Sequence, residues 1–343
     1  TTGIFVSGSS YITHSTSLES GLQLKAPLIE IETNSSINVS GRGYLGGRNG
    51  ANTNSCGMTL GNLPGSQVRS GGSYGGVGSW YDGASGPGPV YGQPDEPVYL
   101  GSGGSMGGNA SYPGGNGGGR VRIEAGTLVV DGQVNANGAM GAENWAGSGS
   151  GGSIWIKAGL VRGSGLITAN GGANDSGGGG GRILVEYGSL GGTNDDLNGT
   201  RNIQACGGHP EGWGSAGTVL LKGPGAQYGD LVIDDGLTSG TGAATPLTML
   251  GFGRVCGLTA DTLTADGGVL FGAGMLSGLE VNPNLNQSGS FQVIDNTATS
   301  LTVRLTGGDD LFAVSSNLAT YAGIYRFDNL TIRGGGNLVA GDK

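Results

Sequence analysis

Glycine and proline supply 79 and 11 of the 343 residues, about a quarter of the chain, and only 12% of the side chains are charged. Glycine costs roughly 1 kcal/mol per helix position relative to alanine, so a helical protein is excluded, and with a net charge of -9 and 16 scattered Lys and Arg so is a nucleic-acid binder that works by clustered positive charge. Composition of this kind without a period also marks low-complexity disorder, but here apolar and β-branched residues gather in short alternating runs, such as 22–31 and 121–130, that can bury a core.

Residues 1–40 read as first strands, with Leu22-Gln-Leu-Lys-Ala26 as a pentad apolar at positions one and three. The pentad returns as Val121-Arg-Ile-Glu-Ala125, Ile154-Trp-Ile-Lys-Ala158, Ile183-Leu-Val-Glu-Tyr187 and Val219-Leu-Leu-Lys-Gly223. The starts at 22, 121, 154, 183 and 219 give steps of 99, 33, 29 and 36, the first enlarged by one insertion. A second signature follows the first four pentads: Ile37-Asn-Val-Ser-Gly41, Val134-Asn-Ala-Asn-Gly138, Ile167-Thr-Ala-Asn-Gly171 and Ile203-Gln-Ala-Cys-Gly207. Units of about 30 residues with short strands cannot bury an apolar face alone, whereas stacking them makes a continuous interior. The expected fold is therefore all-β, a right-handed parallel β-helix (β-solenoid). Alternation points Leu22, Leu24, Val121, Ile123, Ile154, Ile156, Ile183, Val185, Val219 and Leu221 inward, and Gln23, Arg122, Trp155, Leu184 and Leu220 outward.

Two columns follow from this stacking. The outward residues Lys25, Glu124, Lys157, Glu186 and Lys222 alternate in sign and would form a charge ladder that fixes register, although each is also at home as a plain solvated group. Ser40, Asn137, Asn170 and Cys206, each before a glycine, would form a turn ladder in which small polar side chains bond along the column and glycine supplies positive φ.

Residues 41–119 hold 27 glycines with Tyr74, Trp80, Tyr81, Tyr91, Tyr99 and Tyr112 among them. This Gly-rich insertion either packs as extended, polyproline-like strands with aromatic anchors or is a flexible loop. Shorter glycine runs at 147–153 and 177–181 leave just ahead of the next pentad. The solenoid itself is expected over 120–277. A small antiparallel β-module is expected over 278–326, built from the strand pair within 291–303 with 311–314 and 324–327. A resumed coil is expected over 327–343, because Tyr228-Gly-Asp-Leu-Val-Ile-Asp-Asp-Gly236 resembles Phe327-Asp-Asn-Leu-Thr-Ile-Arg-Gly-Gly335, 99 residues later.

The succession Tyr91-Gly-Gln-Pro94, Gly117-Gly-Gly-Arg-Val-Arg-Ile-Glu-Ala125, Gly151-Gly-Ser-Ile-Trp-Ile-Lys-Ala158 and Gly178-Gly-Gly-Gly-Arg-Ile183 resembles the glycine-rich β-solenoid repeats of large bacterial surface and adhesin-like proteins. The resemblance covers 90–190 well and 278–335 more loosely. It implies an extracellular or cell-surface setting and carries over no catalytic residue. The function expected is a non-catalytic structural or adhesive segment, its partners being neighbouring copies, other surface components or glycans, with no nucleic acid and no membrane span. Without an initiator Met at Thr1, the chain reads as a mature or excised piece. No helical cap is visible at either end, so more of the same polypeptide or a head-to-tail neighbour is expected to complete the terminal strands.

The alternative is a polysaccharide lyase or glycoside hydrolase built on the same fold. Asp195-Asp196, Asp234-Asp235 and Asp309-Asp310 are adjacent carboxylates, but neighbours on a strand face opposite sides, and a glycosidase needs two converging on one bond. Asp195, Asp196 and Glu211 near Arg201 is the best lyase-like constellation, with a solvated loop as its plain reading. No cofactor is expected, and calcium is the one metal that Asp- and Asn-bearing loops would suit. His14 and His209 are lone histidines, and Cys56, Cys206 and Cys256 allow at most one disulfide.

Overall fold

A computed structural model describes the chain apart from residues 1, 82–85, 144, 192–201, 209–212, 238–241, 249, 267–273, 275 and 341–343. It is all-β, with parallel sheets and a small antiparallel barrel. Two compact units divide it: residues 1–245 with 327–338, and residues 246–326 with 339–343.

In the first unit the pentads lie in long strands, Leu22–Ile31, Arg120–Val130, Ser153–Arg162 and Arg182–Leu190, followed by Thr218–Lys222. They pair in parallel with Leu22 opposite Val121, Val121 opposite Ile154, Ile154 opposite Ile183 and Ile183 opposite Val219. The sequence steps of 99, 33, 29 and 36 are thus the register itself. Each long strand runs on past its pentad through one column, Pro27, Gly126, Gly159 and Gly188, where a Cβ on any of the three glycines would meet the preceding layer's carbonyl oxygen at 2.6–2.8 Å. Beyond that column Ile29, Leu128 and Val161, then Ile31 and Val130, resume the inward positions with no exposure at all. A second parallel sheet joins Tyr11–Ile12, Ser36–Asn38, Gln133–Asn135, Leu166–Thr168 and Ile203–Gln204. Its Ile37, Val134, Ile167 and Ile203 enter the same core as Val121, Ile154 and Ile183.

The direction assigned by alternation needs two corrections. Leu184 and Leu220, expected outside, are 1% and 3% exposed, since burial on both faces replaces one-sided burial towards the end of this sheet. Leu22 and Leu24, expected inside, are only half-buried because among the described residues no strand pairs with the far edge of their pentad; Ile4–Val6 pairs further along, with Ile29 to Ile31.

Parallel stacking ends after Thr218–Lys222. The next strand, Asp230–Asp234, is antiparallel to it, and Asn329–Arg333 then pairs in parallel with Asp230–Asp234, Asp230 opposite Asn329 and Asp234 opposite Arg333. The two similar segments 99 residues apart are therefore direct neighbours. Between them in sequence lies the second unit, a closed barrel of Phe252–Leu258, Thr262–Ala265, Ser300–Val303, Phe291–Asn296, Glu280–Asn282 and Thr320–Ile324 around Val255, Leu263, Val281, Val293, Leu301 and Tyr321. The antiparallel module so begins well before 278, because Phe252–Leu258 pairs with Thr320–Ile324, a long-range partner that local pattern does not reveal. Residues 311–314, expected as a strand, form one helical turn, nucleated by the Asp310 carboxylate accepting from Phe312 N–H at 2.8 Å.

The glycine-rich segments are packed. Along 147–152, successive N–H groups donate to Ser105, Ser176, Ala139, Ser102, Gly179 and Ala136 carbonyls at 2.7–2.9 Å. The partner thus cycles through three neighbouring segments every three residues, the period of a polyproline II helix, which makes no hydrogen bonds within itself. Segment 114–118 does the same, with Gly114 and Gly117 donating to Gly47 and Tyr44, and Gly115 and Gly118 to Gly147 and Ser150. Glycine is required for closeness: a Cβ on Gly117, Gly147 or Gly151 would stand 1.8–1.9 Å from a neighbour's carbonyl oxygen. The few side chains inside are small acceptors, Ser150 Oγ taking Ser102 N–H at 2.8 Å and Ser215 Oγ taking Val77 N–H at 2.7 Å. The insertion and the runs at 147–153 and 177–181 form one bundle, with 43–47, 71–79 and 101–105 as its further rods.

Two measurements check this packing. Val121→Asp or Ile156→Asp should abolish folding, since an unpaired carboxylate in this core costs several kcal/mol, whereas Arg122→Ala should leave the circular dichroism spectrum unchanged. Gly151→Ala should lower stability by about 1–3 kcal/mol or more, as overpacking does, while Gly86→Ala, with open space around its Cα, should stay within about 0.5 kcal/mol in chemical denaturation.

Candidate functional site

The features that can act are the two columns on the sheets, the fastening of the insertion, and a cavity beside it. In the turn column, Asn137 N–H donates to Ser40 Oγ (3.1 Å), Asn170 N–H to Asn137 Oδ1 (2.7 Å) and Cys206 N–H to Asn170 Oδ1 (2.8 Å). Each small polar side chain thereby accepts from the backbone of the next layer. The following glycines Gly41, Gly138 and Gly171 donate to the Asn137, Asn170 and Cys206 carbonyls. Only Gly41 has positive φ, 64°; at Gly138, Gly171 and Gly207 a Cβ would lie 1.9–2.0 Å from a bundle carbonyl, so close approach and not backbone handedness demands glycine there. Cys206 supplies no oxygen to the next layer, and Asp235 takes over, accepting from Gly207 N–H at 2.8 Å. Burial and the Asp235 and Asp234 carboxylates push the Cys206 thiol up to about 12, so it stays protonated and inert at neutral pH. The three cysteines are unbridged.

Lys25, Glu124, Lys157, Glu186 and Lys222 occupy one register column. Lys25 Nζ reaches Glu124 Oε2 at 2.8 Å, and Lys157 Nζ lies 4.0 Å from Glu186 Oε1. Glu124 spends its other oxygen on Arg122 of its own strand (2.8 Å), while Trp155 Nε1–H donates to Glu186 and Arg122 stacks on the Trp155 ring at 4.3 Å. The column is two ion pairs braced sideways. Neighbouring Lys25 holds the Glu124 carboxyl below the usual range.

Two of the residues that precede pentads, Ser153 and Arg182, fasten the insertion. Arg182, with no exposure, donates through Nε and Nη2 to the Tyr91 carbonyl (3.1 and 3.0 Å) and through Nη1 to Thr218 Oγ1 (3.1 Å), its guanidinium 5.4 Å from the Tyr74 ring centre. Tyr74 OH pairs with Ser153 Oγ at 2.7 Å and Tyr91 OH donates to the Leu100 carbonyl at 2.6 Å. Sequence reasoning does not reach this use of Arg182; the signal for it is an arginine following a run of five glycines directly into an apolar strand.

The remaining sequence candidates are structural or fall outside the described residues. Asp234 binds Arg333 (2.6 Å) and Gly236 N–H (3.0 Å), and Asp309 accepts from Thr306 (2.9 Å). Asp195, Asp196, Arg201, His209 and Glu211 lie outside the described residues. Asn135 and Thr168 of the short-strand sheet are buried and joined, Thr168 Oγ1 donating to Asn135 Oδ1 at 2.9 Å. Among the described residues no group of three metal-ligating side chains gathers, and no helix is long and apolar enough to cross a membrane.

A cavity of about 380 Å³ is lined by Glu19, Tyr44, Leu60, Gly61, Val98, Tyr99, Leu100 and Arg120. Tyr44 OH donates to Glu19 Oε1 (3.0 Å), and Arg120 Nη1 donates to the Glu19 carbonyl at 3.4 Å. Behind it, buried His14 accepts from Arg120 N–H through Nε2 (3.2 Å) and donates through Nδ1 to the Ser15 carbonyl (2.7 Å). Desolvation lowers the His14 pKa and raises those of Tyr44 and Tyr99, so all three are neutral at neutral pH.

Against known proteins the chain stands apart: no family model, curated protein or solved structure matches it.

The charge column gives a check with a definite sign. Because the folded Glu124 is depressed, its contribution is present above the ordinary carboxylate range and is lost as pH falls through the folded value. Glu124→Lys should destabilise, and adding Lys25→Glu and Lys157→Glu should recover part of the loss; purely additive effects across the cycle would show the column to be uncoupled.

Proposed function

We propose that the chain is a β-solenoid serving as a non-catalytic structural or adhesive segment of an extracellular or cell-surface assembly, of the sort built from glycine-rich repeats in large bacterial surface proteins. Support comes from the in-register parallel strands, from one apolar interior shared by two parallel sheets, and from functional side chains that are spent on holding layers together.

The observation that carries the reading is the state of the sheet edges. Among the described residues Asn329–Arg333 ends the long sheet and is paired on one side only, with Leu330 and Ile332 exposed by 45% and 47% where their neighbours Leu231 and Ile233 are at 0%. At the other end no described strand pairs with the outer edge of Leu22–Ala26, and its leucines are half-buried. A bare apolar edge recruits another strand. Because the chain reverses before Asp230, the two edges run in opposite directions, so a head-to-tail neighbour would join them as an antiparallel pair.

Sedimentation velocity over a wide concentration range tests this. The unaltered chain should associate progressively, and the double variant Leu330→Lys with Ile332→Lys should remain monomeric with its fold intact. A strictly monomeric chain whose edge strands exchange hydrogen slowly would overturn it. Turnover of an acidic or neutral glycan, abolished by a point mutation at Asp195, Asp196 or Arg201, would replace it with the enzyme.

A further inference from the structure

We infer that the cavity between the insertion, Glu19 ahead of the first pentad strand and Arg120 at the start of the second is a binding site for one neutral sugar residue of a glycan. The inference goes beyond the structural reading and does not depend on whether the chain associates through its edges.

Three features of the cavity select this ligand. Its volume of about 380 Å³ sits at the small end of ligand pockets, which run from roughly 300 to 1,000 Å³, and so suits a single ring. Leu60, Val98 and Leu100 provide an apolar wall, and the half-buried Tyr99 adds an aromatic ring, held at its edge by Tyr91 with centroids 5.9 Å apart. A pyranose presents one face of C–H groups to such a wall and ring, and its hydroxyls to whatever polar groups stand opposite.

Those polar groups are present and unspent. Tyr44 occupies Glu19 Oε1, while Oε2 carries no partner among the described residues and is free to accept from a hydroxyl. The Arg120 guanidinium makes one long bond, to the Glu19 carbonyl, and among the described residues has no ion-pair partner, leaving donors for ring or hydroxyl oxygens. A carboxylate and a guanidinium lining one cavity offer a ring's hydroxyls an acceptor and a donor. Both signs of charge line the cavity, so a uronate that pairs with Arg120 must also face the Glu19 carboxylate, and an amino sugar that pairs with Glu19 must also face Arg120; a neutral sugar's hydroxyls use both groups without that conflict.

The acceptor and donor are also fixed in place. Tyr44, 2% exposed, is clamped in the small cluster with Met58 and Leu100 and holds the Glu19 carboxylate. Arg120 is anchored at its backbone by neutral His14. Preorganised polar groups of this kind reduce the ordering cost of binding.

Saturation-transfer difference NMR with the full chain tests the inference, using as probes the methyl glycosides of glucose, galactose and mannose, with methyl glucuronide and methyl glucosaminide as charged comparisons. Transfer should reach the ring C–H protons of at least one neutral glycoside. Its affinity should fall at least tenfold, about 1.4 kcal/mol, in Glu19→Ala and in Arg120→Met, with the circular dichroism spectrum of Glu19→Ala that of the unaltered fold, because that side chain is exposed. If Arg120→Met does not fold, Glu19→Ala alone carries the comparison. Absence of transfer to every neutral glycoside, transfer to a charged one only, or transfer undiminished in the folded variants would overturn the site.

Discussion

The rest of the first unit depends on one constraint: backbone meets backbone at distances that leave no room for a Cβ. In the bundle a virtual Cβ on Gly117, Gly147 or Gly151 falls within 2 Å of a carbonyl oxygen, and the three-residue cycle of donors along 147–152 exists because each rod has close neighbours on three sides. Glycine is the worst residue for ordering, since it loses the most conformational freedom on folding. What offsets that loss is density of hydrogen bonding in a place sealed from water, where every unpaired amide would carry its full desolvation penalty. The serines fit the same logic: at Ser150 and Ser215 a hydroxyl replaces a carbonyl as the acceptor, and the hole a larger side chain would open never forms.

The sheets and the bundle then fix each other. The passes at Asn137 and Asn170 leave the short-strand sheet through a side chain that ties each to the next pass, and enter the bundle through Gly138 and Gly171, which carbonyls crowd. The chain returns through Gly119, Gly152, Gly181 or Gly217 directly into the next long strand. A slip of register in the sheet would therefore move every donor in the bundle, and the period-two alternation of the core would turn apolar residues out. The exposed ion pairs, worth little individually, sit on a register that buried groups already determine.

How much of this is legible in the sequence follows from which interactions are local. Pentads repeat because each layer faces the same environment, so the steps between Val121, Ile154, Ile183 and Val219 can be read as register from the residues alone. The resemblance between 228–236 and 327–335 reads the same way, and the two segments are paired. The turn column is legible as recurrence, but the reason for its glycines is not, because a crowding carbonyl such as that of Gly149 against Gly138 comes from another part of the chain. The bundle has no period in its side chains to read, since its order is written in which carbonyl each amide meets. The barrel's true start, the burial of Leu184 and Leu220, and the role of Arg182 are hidden likewise, each set by a partner distant in sequence.

The same reasoning explains where recognition chemistry can be placed in such a molecule. A bundle that admits almost no side chains cannot form a site in its interior, and a parallel sheet whose inward residues are all aliphatic offers none in its core. Chemistry is left to the seams where rods meet strands, because there the spacing opens and larger residues are needed to fill it. The tyrosines mark that seam: Tyr74 and Tyr91 fill it completely around Arg182, while Tyr44 and Tyr99, beside Arg120, leave it partly open. Arg120 and Arg182 occupy the same column, two layers apart through Ser153. One is consumed by the Tyr91 carbonyl and holds the insertion down; the other faces a cavity, so a position that is structural in one layer becomes available to a ligand in another.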